Sequence, residues 1–77
     1  MIVWHVCSAK KFNKYLKCGF IAPPVRAWET IEQAQRMSIS TGRRIIIRLR
    51  FPSNAPKLLG HFGLARVMET EVRVNDF

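Results

Sequence analysis

The sequence predicts a small α+β domain: a mostly antiparallel sheet with two helices packed on one of its faces. Three observations carry this. The chain has 77 residues and is 48% hydrophobic, which fits one domain over residues 1–77 and is too apolar for a disordered chain. Arg43 to Pro52 reads Arg-Arg-Ile-Ile-Ile-Arg-Leu-Arg-Phe-Pro. Side chains alternate across a strand, so Ile45, Ile47, Leu49 and Phe51 share a core face, and Arg44, Ile46, Arg48 and Arg50 share a basic one. Finally, two stretches of helical periodicity each begin at a capping residue and end at a glycine.

In chain order, Ile2 to Val6 is the first strand, with Trp4 and β-branched residues as its signal. Ile2, Trp4 and Val6 share one face, and Val3, His5 and Cys7 the other. Ser8 is an N-cap, and Ala9, Phe12 and Leu16 follow at helical spacing with Tyr15 beside them. Gly19 suits the left-handed position that ends this helix, and Lys17 complements its macrodipole. Phe20-Ile21-Ala22 is short and apolar, and Pro23-Pro24 interrupts regular pairing because proline lacks the donor. Val25 to Trp28 is a brief strand or an extended link. Thr30-x-x-Gln33 is a capping box, opening a helix that runs to about Ser40 before Gly42. After the basic strand, Pro52 to Pro56 is turn-rich, and Gly60-His61-Phe62-Gly63 is a loop with two permissive backbones. Ala65 to Val74 reads as extended. The helices are expected on the Ile45/Ile47/Leu49 face.

Thirteen Lys and Arg against five Asp and Glu give a net charge of +8. Such a balance favours phosphate-bearing partners, RNA or a nucleotide, and also admits an acidic protein. No run of about 18 apolar residues exists, so no membrane span is expected. The N-terminus lacks the basic region and apolar core of a signal peptide, which makes a cytoplasmic protein the expectation. Cys7 and Cys18 are then expected reduced and buried. A domain this small is marginal alone, so a homo-oligomer is expected unless an acidic partner takes its place.

The basic strand face admits two readings. Its arginines can grip phosphates bidentately, or they can pair with Glu69 and Glu71 across strands and be structural. The candidate ligand set is Arg43, Arg44, Arg48 and Arg50, with Lys10 and Lys14 nearby. His61 and Arg66 join it from the glycine loop, which can bring backbone close to a phosphate. Trp28 and Phe62, in irregular stretches, are better placed to stack on a base than Trp4 and Phe12, which read as core. His5 and His61 are the residues with a near-neutral reference pKa. Together with Glu69 and Glu71 they are the candidate catalytic groups. The Cys and His spacing matches no zinc pattern, so no metal is expected.

The string of features resembles the ADP-ribosyltransferase-like fold family over about the first two-thirds of the chain. Val3-Trp4-His5-Val6-Cys7-Ser8 is similar to its opening histidine strand, and Gly19-Phe20-Ile21 to the turn after its first helix. Val25 to Trp28, Thr30 to Ala34 and Ile45 to Leu49 follow in matching order. The resemblance implies NAD as cofactor, with His5 helping to bind it. Ser38-Ile39-Ser40-Thr41 and Glu69-Thr70-Glu71 are similar to the family's Ser-Thr-Ser and Glu-x-Glu elements. The chain departs in being much shorter, and the family's middle aromatic or serine has no clear counterpart. Three functions therefore stand: a module binding a phosphate-bearing ligand without a cofactor; an NAD-dependent, RNA-modifying or RNA-cleaving enzyme; and a docking module for an acidic protein or its own copy.

Overall fold

The computed structural model describes residues 1–58, 60 and 63–73. His61, Phe62 and Val74, named above, lie outside the described residues. The class is the expected one, a small α+β domain with a mostly antiparallel sheet. Its elements are β1 (Ile2–Cys7), α1 (Ala9–Cys18), β2 (Phe20–Ile21), β3 (Val25–Trp28), α2 (Ile31–Thr41), β4 (Ile45–Arg50), β5 (Ala65–Met68) and β6 (Val72–Arg73). The main sheet has the order β4-β1-β3-β5, and β2 and β6 form a second, two-stranded sheet.

Local chemistry sets the helix ends. Ser8 Oγ accepts from the Lys11 amide, and Gly19 adopts the left-handed conformation at φ 85° while its N–H donates to Tyr15 O. Thr30 Oγ1 accepts from the Gln33 amide, and Gly42 closes α2 at φ 73°. Ser8, Gly19 and Thr30 each satisfy a backbone group that the helix leaves without a partner.

The core lies on the predicted face of β4. Val3, Cys7, Val25, Ala27, Ile47, Leu49 and Phe51 form one buried cluster that also takes in Ile21 and Val72 from the small sheet, and Phe12 and Tyr15 of α1 pack against it. Within the expected class, the helices divide between the faces. β3 and β4 both run antiparallel to β1 and flank it, so α2 is a crossover connection between two parallel strands. It passes over β1 with β3 and β4 beside it. Its one buried residue, Ala34, lies outside the main cluster. Met37 meets Val6, Trp28 and Ala65 around a cavity. By register those three sit on the face of Arg48, opposite the core. The handedness of a crossover, which a local pattern does not carry, decides this side.

The predicted final strand, Ala65 to Val74, is two strands in two sheets. β5 pairs with β3, the chain bends at Glu69-Thr70, and β6 pairs with β2. Both cysteines are free, but only Cys7 is buried, and Cys18 is exposed at the end of α1. Among the described residues no helix is long and apolar enough to cross a membrane.

Candidate functional site

The residues singled out in the sequence do not converge on one face. β4 is an edge strand, with Arg48 opposite Trp4 and Arg50 opposite Ile2 on β1. Trp4 in turn lies opposite Trp28 on β3. Cross-strand partners share a face, so Arg48, Trp4 and Trp28 form one row across three strands. Arg44, Arg48 and Arg50 are exposed. Lys10 and Lys14 are exposed on α1, the helix of the opposite face.

Glu69 and Glu71 are not the cross-strand partners of these arginines. Glu69 follows β5, the far edge of the sheet, three strand spacings or about 14 Å from β4. Glu71 borders a shallow recess with Cys18, Gly19 and Arg73. The arginine row therefore keeps its charge without the carboxylates that the sequence offered it. Among the described residues the one ion pair is Arg66 to Glu29, with Arg66 Nε donating to Glu29 Oε2 at 3.2 Å. Arg66 Nη1 also donates to Ala55 O at 2.6 Å. Its side chain is only 12% exposed, so Arg66 ties β3 and the β4–β5 connection to β5 rather than facing solvent as a ligand group.

The second group gathers where β1 and β3 part. Trp4 and Trp28 are the single paired residues between these strands, and beyond them His5 fills the gap. Its Nδ1–H donates to Arg26 O at 2.6 Å, since a carbonyl can only accept. That leaves Nε2 with the lone pair, 3.5 Å from Tyr15 OH, at the limit of a hydrogen bond. The two rings are tilted at 50° with centroids 5.9 Å apart. Burial lowers the His5 pKa from 6.5, the Arg26 carbonyl opposes that shift, and the Arg43 charge adds to it. His5 is thus a neutral imidazole of fixed tautomer at neutral pH. Burial raises Cys7 against a smaller lowering by Arg43, so its sulfur is a protonated thiol and not an activated nucleophile. Burial also raises Tyr15, helped by Cys7 and opposed by Arg43.

A cavity of about 610 Å³ opens beside His5. Trp28, Met37, Val6 and Leu58 supply apolar and aromatic walls, and Arg26 and Arg43 supply cations. None of the described lining residues is acidic. Arg26 is the residue that sequence reasoning missed. It stands mid-strand with no motif around it, and only the parting of β1 and β3 brings it to a cavity.

Two stretches that resembled family elements have structural duties here. Ser38-Ile39-Ser40-Thr41 is the last turn of α2, where Ser38 Oγ donates to Arg43 O, and Ser40 Oγ and Thr41 Oγ1 donate to Met37 O. Glu69-Thr70-Glu71 joins the two sheets. Among the described residues no three His, Cys, Asp or Glu side chains come together as a metal site would need. Comparison of the chain with protein-family models, curated proteins and solved structures finds no match.

Proposed function

We propose that this domain holds a phosphate-bearing ligand of nucleotide class, a free nucleotide or the end of an RNA strand, in the cavity between β1, β3 and α2. The observation that carries the reading is its lining: an aromatic wall at Trp28, cations at Arg26 and Arg43, and no described acid. Cavities of roughly 300–1,000 Å³ with apolar walls and a few placed polar groups are the usual form of a small-molecule site. An Arg guanidinium matches phosphate geometry, and Trp offers a π-face to a base. The net charge of +8 draws such anions in.

Titration of adenosine and uridine mononucleotides, followed by tryptophan fluorescence, tests the proposal. Binding is expected to weaken as salt rises and to fall at least about tenfold in Arg43→Ala, the loss of one charge-assisted contact. Binding indifferent to both salt and Arg43 overturns it.

The placement of His5 favours a second reading, in which the ligand is NAD and the domain is a member of the ADP-ribosyltransferase-like class. His5 lines the cavity with its tautomer set by Arg26 O. Neither Glu69 nor Glu71 is among the cavity's described lining residues, which is why binding rather than transfer is the first proposal. An NAD titration that gives no heat and no spectral change removes the second reading.

A further inference from the structure

The edge of the main sheet carries a second, separate feature. Phe51 N–H donates to Met1 O at 2.9 Å, and the Met1 ammonium donates to Phe51 O at 2.6 Å. These two residues are therefore a hydrogen-bonded antiparallel pair. Such pairs recur every second residue. With Ile2 opposite Arg50 and Cys7 opposite Ile45, the residues of β4 that bond to β1 are Leu49, Ile47 and Ile45. The backbone N–H and C=O groups of Arg50, Arg48 and Ile46 point the other way, out of the sheet. β4 has no second strand neighbour among the described residues. The edge thus presents alternating donors and acceptors, and the side chains on the same three residues are two exposed arginines and a half-buried isoleucine.

We propose that this edge accepts an extended, acidic segment of another protein as an added antiparallel strand. The register fixes the chemistry of that segment. Residues directly opposite each other share a face, so an acidic residue is called for opposite Arg50, another two positions later opposite Arg48, and an apolar residue two further on opposite Ile46. The fitting pattern is acidic-x-acidic-x-apolar. Backbone pairing supplies the affinity and the alternate side chains the selectivity, as in other cases of strand addition.

The same observations weigh against two other occupants. A nucleic-acid backbone can meet the guanidiniums, but phosphate oxygens only accept and leave the outward carbonyls of β4 unpaired. A second copy of this chain carries another +8. Its Glu69-Thr70-Glu71 has the right acid spacing, but the next residue, Val72, is buried and paired with Ile21. Donating that stretch would dismantle the small sheet.

The test uses a fluorescently labelled peptide, acetyl-Thr-Glu-Thr-Glu-Thr-Val-Thr-amide, with anisotropy as the readout on the full chain. Changing both glutamates to glutamine is expected to weaken binding at least about tenfold, since it removes the charge from two Arg contacts. N-methylation of the same two glutamates is expected to do likewise, because their N–H groups meet the Arg48 and Arg50 carbonyls. The Arg48→Glu/Arg50→Glu protein should lose the acidic peptide and gain one with lysine in place of glutamate. Circular dichroism checks that this variant is folded, and slowed amide exchange at Ile46, Arg48 and Arg50 on peptide binding reads the edge directly. Equal binding of the N-methylated peptide overturns strand addition. So does a thymidine oligonucleotide that displaces the peptide and slows exchange of the Ile46, Arg48 and Arg50 amides in its place, or a self-associated protein whose β4 amides are already protected. Failure of the acidic peptide to bind at low salt, with self-association appearing in Arg48→Thr/Arg50→Thr, would mean that the arginines only guard the edge against its own kind.

Discussion

Replacing Arg66 by methionine distinguishes a structural tie from a ligand group. Arg66 gives one hydrogen bond to the Glu29 carboxylate at 3.2 Å and one to the Ala55 carbonyl at 2.6 Å. Methionine keeps most of the alkyl packing and removes both bonds. Hydrogen bonds involving a charged group contribute roughly 1.5–3 kcal/mol each, and the buried carbonyl and carboxylate are left without a donor. The Glu29 side chain is 20% exposed, so water recovers part of the loss on that side, and about 3 kcal/mol is the expected net cost. For a domain of this size about 1 kcal/mol moves Tm by roughly 4–8 °C, which puts the expected drop at roughly 12–24 °C. Glu29→Gln keeps an acceptor in place and removes only the charge, so it should cost about 1 kcal/mol. Thermal unfolding followed by far-UV circular dichroism measures both, with nucleotide titration alongside. An Arg66→Met protein with unchanged Tm and abolished nucleotide binding would refute the reasoning and return Arg66 to the ligand set.

Other expectations follow from the same geometry. Phe51→Ala empties a side chain that is 2% exposed at the end of β4, and should cost about 3–5 kcal/mol in chemical denaturation, or prevent folding at ambient temperature. Ser8→Ala removes the acceptor for the Lys11 amide and should cost about 1 kcal/mol, with Ser8→Asp restoring it. The His5 pKa is lowered in the folded state from 6.5, so the unfolded chain binds this proton more readily. Its contribution to stability is full above about 6.5 and is lost as pH falls through the depressed folded pKa. The Tm of the native protein should therefore fall more steeply below pH 6.5 than that of His5→Asn, and parallel profiles for the two would contradict the burial-driven shift.

Much of the local structure was legible in the residues themselves. Ser8, Gly19, Thr30 and Gly42 mark helix ends because capping is decided within a few residues, by a side-chain oxygen or by freedom to take positive φ. The alternation of Ile45, Ile47 and Leu49 with Arg48 and Arg50 separates two faces because a strand repeats every second residue. The split of Ala65 to Val74 into β5 and β6 was not legible, since a continuous extended pattern does not say which sheet each half joins. Val67 and Val72 read alike in sequence, yet one pairs with Arg26 and the other with Ile21.

The candidate site shows the same division. That Arg48 and Arg50 are surface cations, and that His5 sits on the first strand, follows from the sequence alone. Whether the arginines meet Glu69 and Glu71 depended on strand order, and the order β4-β1-β3-β5 keeps them apart. That Arg66 is occupied by Glu29 and Ala55, and that Arg26, Arg43 and Trp28 border one cavity with His5, depends on contacts between segments distant in the chain. Caps, faces and charge are properties of neighbouring residues, and here the sequence determined them. Strand neighbours, the side of the sheet taken by α2 and the partner of each charge arise from long-range pairing and the handedness of a crossover, which only the tertiary structure decided.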